Sequence, residues 1–319
     1  MVITGASSGI GRAAAELFAR EGSSLVLAAR GEADLGEVSE ACARLGATAL
    51  AVPTDVREET AVRALAAAAA ERFGRLDVWV NNAGVMAYGR FGEIPGDVYR
   101  AVIETNLLGQ MHGASAALPH FLAQRSGVLI NMCSVWGRVT SPDVSVYVVS
   151  KFAVRAFSEC LRQELRAMPE VDVATILPQA VDTPIFGRSA NYSGRAVRPI
   201  PPLVDPEEVA RGILLCAKSP KREVTYSRAG RILEIAQTLV PRAYGRLLPP
   251  SFEAGNYGRD AAVPGPGRVL EPVEAAHGIK GGWKRDRRSD LRRAFIAAAG
   301  GSVRGLAPRR LRALGRRSR

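Results

Sequence analysis

The 319-residue chain contains no apolar run of the ~20 residues that a membrane-crossing helix needs. Its start carries no basic segment leading into an apolar stretch, so the expected location is cytoplasmic. Cysteine is scarce. The four copies, Cys42, Cys133, Cys160 and Cys216, are scattered without metal-ligand spacing, which argues against a disulfide framework and for a reducing compartment. His112 and His120 can share a helix face, but neither has further ligands at metal spacing, so packing roles are expected and no metal is.

A one-sided charge is also missing from most of the chain. The formal net charge is +12, yet residues 280–319 alone hold 14 Lys/Arg against 2 Asp/Glu, and the remainder carries 29 of each sign. The body is electrically balanced, so nucleic acid would have to bind through the tail alone. The only aromatics there are Trp283 and Phe295, which makes nucleic acid the least favoured partner.

What is present is a regular alternation of short β-rich runs and helical patterns over the first ~225 residues. This predicts an α/β fold: a doubly wound parallel sheet with helices on both faces, three layers in all. Strands are expected at Val2-Ile3, 24–29, 47–53, 76–80, 128–133, 171–177 and 223–226. The helices between them fall near 10–21, 34–45, 58–73, 97–124, 145–168 and 207–217, with Pro119 bending or restarting the long one. The first strand is unusually short. Residues 184–204 read as a loop. Beyond 228 the character changes: an apolar, partly amphipathic helix at 232–248, then a Pro/Gly-rich irregular stretch to 282, then a basic tail over 283–319 with a helix-like piece at 290–299. The expected organisation is a catalytic domain at 1–228, an extension at 229–282 and the tail.

The turn Thr4-Gly5-Ala6-Ser7-Ser8-Gly9-Ile10-Gly11 joins the first strand to the first helix. Its glycines allow a tight bend and let backbone approach a pyrophosphate, while the helix N-terminus offers N–H groups and Ser7 and Ser8 add hydroxyls. A site for the unphosphorylated dinucleotide usually has an acid at the end of the second strand. Here Ala29 is followed by Arg30, Glu32 lies past the strand, and a guanidinium suits a 2′-phosphate. NADP(H) is therefore the expected cofactor.

Tyr147 and Lys151, four residues apart, share one helix face. A nearby ammonium and a cationic nicotinamide are expected to lower the pKa of the phenol, which could then exchange a proton with an alcohol or carbonyl oxygen. Ser134, at the end of the fifth strand, could hydrogen-bond that oxygen, and Asn106 could hold a water that relays protons from Lys151. As an isolated pair, Tyr-x-x-x-Lys is close to background. The information lies in the joint pattern.

With T-G-x-x-x-G-I-G at 4–11, Asp55, N-N-A-G at 81–84, Asn106, Ser134 and Y-V-V-S-K at 147–151 in this order, the sequence resembles the short-chain dehydrogenase/reductase family over about residues 1–226. The resemblance implies a Rossmann-type sheet and a catalytic tetrad of Asn106, Ser134, Tyr147 and Lys151, with Lys151 also holding the nicotinamide ribose. It implies adenine contacts from Asp55 and Val56, a cofactor wall from Asn82, Ala83 and Gly84, and nicotinamide contacts from Pro178, Val181 and Thr183. It further implies a homodimer or homotetramer built on the two long helices. Two features depart from the family: Gln179 follows Pro178 where Gly is usual, and the first strand is clipped.

Met86, Tyr88, Phe91, Trp136, Ile185, Phe186 and Tyr192 are candidate walls of a substrate site, which points to a fairly hydrophobic small molecule. The 232–240 segment, bordered by Arg231, Arg242 and Arg246, is expected to pack over the substrate cleft or on the body, with peripheral membrane contact as the alternative. The leading expectation is an NADP(H)-dependent reductase of a carbonyl. The alternatives are an oxidative hydroxysteroid or alcohol dehydrogenase, and a membrane-associated cofactor-binding scaffold with vestigial chemistry. The tail reads as a solvated, partly disordered segment, with attraction to anionic lipid next in order.

Overall fold

Seven strands rich in Val, Ile, Leu and Ala pair in one wholly parallel sheet: β1 (Val2–Thr4), β2 (Leu25–Ala29), β3 (Ala49–Pro53), β4 (Val78–Asn81), β5 (Gly127–Met132), β6 (Val171–Leu177) and β7 (Glu223–Thr225). The computed structural model describes residues 1–226, 228–272 and 278–286. The strand order is 7-6-5-4-1-2-3. Alternate side chains face opposite layers. Ile3, Leu27, Val80, Ile130 and Ile176 pack under α1 (Gly9–Arg20), α2 (Glu32–Arg44) and α7 (Pro206–Lys218). Val2, Val26, Trp79 and Leu129 pack under α3 (Glu59–Phe73), α5 (Gly109–Gln124) and α6 (Ser145–Glu164). Both faces are covered, so the strands read as continuous apolar runs. The three residues of β1 suffice because β2 and β4 flank them and all three are buried. The winding reverses between β1 and β4, which opens a crevice at the carboxyl ends of the strands.

The long helix expected over 97–124 is interrupted, but not at Pro119, which lies inside an unbroken α5. The irregularity is a π-helical turn at Glu104–Leu108 between α4 (Gly96–Ile103) and α5. Extra residues in such a turn push a side chain out of helical register, and Asn106 is the residue at its centre.

The extension differs from its sequence pattern. The single helix expected at 232–248 is two, α8 (Arg228–Leu239) and α9 (Pro241–Asn256), broken at Val240-Pro241. The stretch from Pro249 is not irregular at first: α9 runs through Pro249 and Pro250, and Tyr257–Ala261 then pairs antiparallel with Arg195–Val197. Tertiary anchoring offsets the helix hydrogen bonds that the prolines forfeit. Tyr244 is buried and donates to the Thr140 carbonyl at 2.9 Å, and Tyr257 is buried against Tyr88.

α8 packs on the body through four charges. Arg138 bonds Glu223 and Glu234, and Arg155 reaches the same two carboxylates at 2.8 Å each. Its Ile232, Ile235 and Leu239 remain exposed. No helix among the described residues is long and apolar enough to cross a membrane. The loop 184–204 is also more ordered than its composition indicates. Ala190–Asn191 pairs with Ala87–Tyr88, and Asn191 bridges to Gly265 of the extension. The helix-like segment at 290–299 and most of the basic tail lie outside the described residues.

Candidate active site

The crevice is a cleft of about 650 Å3 at the carboxyl ends of the central strands. Gly5, Ser7, Ser8, Gly9 and Ile10 line one end of it. Gly11 lies beneath them. A Cβ there would sit 2.1 Å from the Gly5 carbonyl oxygen, so only glycine allows the helix to start so close to the strand end. The Asn82 amide donates to the carbonyls of Thr4 and Gly5 at 2.9 and 3.1 Å, and the Thr4 hydroxyl accepts from the N–H groups of Asn82 and Ala83. Asn82 therefore ties the end of β4 to the turn after β1. Its neighbours Ala83 and Gly84 line the cleft.

At the far end of β2, the Arg30 guanidinium donates to three successive carbonyls of the extension: Arg268 at 2.6 Å, Leu270 at 3.1 Å and Val269 at 3.5 Å. Burial and the neighbouring Arg57 and Arg268 lower its pKa, against the pull of Asp55 and Glu271. The wall is not free of carboxylates as the strand end alone indicates, because Asp34, one turn into α2, lines it. Asp55 and Val56 also line it. Burial raises the Asp55 pKa, but hydrogen bonds from Arg57 outweigh that and hold the carboxyl below its ordinary range.

Ser134, Tyr147 and Lys151 converge at the other end. Ser134 caps a short 3-10 turn, its hydroxyl accepting from the Trp136 N–H at 3.2 Å. The Tyr147 ring meets Trp136 edge-on with centroids 5.9 Å apart, and the Lys151 ammonium lies 5.5 Å from the centre of the same ring. Lys151 donates to the Met132 carbonyl at 2.9 Å. Burial lowers its pKa to about 8. The Tyr147 phenol moves opposite to the expected direction: burial raises its pKa well above the ordinary value, and the Ser134 hydroxyl only partly offsets this. The ammonium does not dominate because the phenol is buried against Trp136. Cys133 is core, its thiol pushed up to about 11 by burial.

Asn106 is fully buried behind Gly84 and not on the cleft surface. Its amide accepts from the Val85 N–H at 2.8 Å, donates to the Val85 carbonyl at 2.9 Å and donates to Ser150 at 3.1 Å. It fixes the strand that leaves β4 against α6. Pro178, Val181 and Thr183 line the cleft after β6. Gln179 turns its side chain to the Pro202 carbonyl at 2.9 Å, which accommodates the departure from glycine.

Met86, Trp136, Ile185 and Phe186 line the cleft as expected of substrate walls. Tyr88 is instead buried behind it, and Phe91 is exposed and stacked on Tyr99. Tyr192 packs on Gly89. Several wall residues escaped the sequence reading, among them Arg188, Ile200, Phe252 and Arg268. They come from the loop and the extension, where no local motif marks them. The glycine-rich turn at one end and Ser134, Tyr147 and Lys151 at the other are placed as an extended dinucleotide would span them.

Residues 1–192 match the family model described as short chain dehydrogenase, and the chain belongs to that family of oxidoreductases. The uncharacterized oxidoreductase YxnA of Bacillus subtilis (strain 168) is 34% identical over 251 residues, covering 78% of this chain and 70% of that protein. The uncharacterized oxidoreductase SA2266 of Staphylococcus aureus (strain N315) is 36% identical over 220 residues, 69% of this chain and 91% of that one. Among solved structures, the alcohol dehydrogenase of the archaeon Thermococcus sibiricus complexed with 5-hydroxy-NADP superposes with a TM-score of 0.63 at 30% identity, covering 71% of this chain and 97% of that one. A metagenomic short-chain oxidoreductase in complex with NADP gives 0.60 at 28% identity, covering 70% and 94%.

Proposed function

We propose that the protein is an NADP(H)-dependent oxidoreductase that transfers hydride between nicotinamide and the carbonyl or secondary alcohol carbon of a fairly hydrophobic small molecule. The observation that carries this reading is the convergence of Ser134, Tyr147 and Lys151 beside an apolar wall of Met86, Ile185, Phe186, Leu233 and Phe252. Bound NADPH supplies the hydride. Ser134 holds the substrate oxygen, and the Tyr147 hydroxyl gives it a proton as negative charge develops there. The phenol, raised by burial above its ordinary value, is protonated at neutral pH and can serve as the acid when a carbonyl is reduced. Lys151 presents its ammonium beside the same ring. Arg30 at the other end of the cleft and the NADP-bound solved neighbours support the phosphorylated cofactor.

Exposed Met111 and Leu122 on α5, with Val149 and Phe152 on α6, support a homo-oligomer joined through these helices. The deciding experiment is a screen of NADPH against NADH over ketones and aldehydes of graded size. NADPH is expected to drive turnover of the larger apolar carbonyls. No oxidation of NADPH by any member of the panel would overturn the reading.

A further inference from the structure

The extension does not merely cover the cleft. It meets it at both ends with backbone contacts that leave no slack. Near the adenosine end, Gly267 has φ +54°, and a Cβ on it would lie 2.4 Å from the carbonyl oxygens of both Arg188 and Ser189. The Arg268 N–H donates to that Arg188 carbonyl at 2.9 Å, and the neighbouring Val269 is fully buried. At the glycine-rich turn, the Gly278 carbonyl accepts from the Gly9 N–H at 3.2 Å. Past it, the Trp283 indole donates to the Thr183 carbonyl at 3.0 Å.

This seating gathers three guanidiniums, those of Arg30, Arg188 and Arg268, in one half-buried wall of the cleft. Arg188 donates to the Ser8 hydroxyl at 3.2 Å. Arg30 spends its terminal nitrogens on the carbonyls of 268–270. The Nε of Arg268 is buried with no hydrogen-bond partner among the described residues. Burial and the charge on Arg268 lower the pKa of both Arg30 and Arg188. Asp34 in the same wall and Glu271 beside it face the cluster, while Asp55 is paired with Arg57. Among the described residues the three guanidiniums outnumber the two acids that face them, and the orphaned Arg268 donor suits a multivalent anion.

We propose that Arg268, carried by the extension and outside the family-matched region, determines cofactor specificity: with Arg188, and oriented by Arg30, it binds the phosphomonoester on the adenosine ribose. The inference rests on the NADP reading above and changes its agent. Arg30 becomes the post that holds the strap, and Arg268 becomes the ligand.

The test compares adenosine 2′,5′-bisphosphate with AMP, which differ only in that phosphate, by calorimetry on the full chain. Arg268→Gln is expected to weaken the bisphosphate about tenfold or more and to leave AMP within about twofold. Arg268→Lys, which keeps the charge, should recover part of the loss. Gly267→Val, which unseats the strap and keeps the guanidinium, should reproduce the selective loss, with circular dichroism melts checking the fold of each variant. If the unaltered protein binds both probes equally, the NADP reading and this inference both fall. If it prefers the bisphosphate and Arg268→Gln retains that preference, or loses both probes alike, this inference alone falls.

Discussion

Thr4, Gly11 and Asn82 in the floor of the cleft hold one another through backbone-directed contacts within the sheet ends. Leu233, Phe252 and Arg268 in its roof reach the same space from α8, α9 and a strap, each anchored by tertiary contacts elsewhere. The floor owes its geometry to strands that cannot shift without breaking the sheet. The roof owes its geometry to ion pairs, a two-strand ribbon and glycines seated on carbonyls. On the proposed reading, chemistry and cofactor cradle lie on the sheet ends, and selectivity lies on the part that can be altered without unfolding the sheet.

Four substitutions set floor against roof. The largest effect is expected for Tyr147→Phe, which removes the proton donor and leaves the packing on Trp136. Turnover should fall about a thousandfold while cofactor affinity stays unchanged, read by single-turnover kinetics and calorimetry. Gly11→Ala forces a methyl against the Gly5 carbonyl oxygen, a backbone atom that cannot move aside. It should destabilise the protein by about 2 kcal/mol and weaken cofactor binding, read by denaturant titration. Phe252→Ala, in the roof, should raise KM for bulky substrates about tenfold with little change in kcat. A roof residue that lowered kcat as strongly as Tyr147→Phe would break the distinction between the two regions.

The smallest effect is one of stability. The Lys151 pKa falls from 10.5 unfolded to about 8 in the fold. Below pH 8 both states carry the charge, and the fold bears its full burial cost. Between about 8 and 10.5 the native side chain is neutral and the unfolded one charged, so that cost is relieved as pH rises. Lys151→Met should accordingly raise Tm by roughly 3 °C at pH 7, and the gain should vanish near pH 10.5. A gain independent of pH would assign it to packing instead.

The floor was legible in the sequence because its signals are local. Strand, glycine turn and helix cap are contiguous in 4–11, and Tyr147 and Lys151 share a helix face by spacing alone. The lowered Lys151 and raised Tyr147 pKa values were not legible, since both follow from burial by Trp136 and the sheet, which no spacing encodes. Asn106 was legible as a residue but not as a position. The π-helical turn that swings it behind Gly84 leaves no mark in the apolar period. The roof was legible only in part: the apolar 232–240 segment marked a cover for the cleft, and Leu233 lines it. Arg268 sits in a Pro/Gly-rich stretch that composition marks as irregular, and its partner Arg30 lies 238 positions earlier in the chain. Pro249 and Pro250 pointed away from a helix that tertiary anchoring nonetheless holds.

The seating of Gly267 and Gly278 also bears on how the molecule comes into being. Chains emerge N-terminus first and fold in that order. All seven sheet strands have been synthesised once Thr225 is made, before any of the strap exists. A chain ended there would lack α8, α9 and the strap, and its Ile185 and Phe186 wall would lose that cover. The α8, α9 and strap segments therefore complete the fold, closing over a cradle whose strands precede them in the chain.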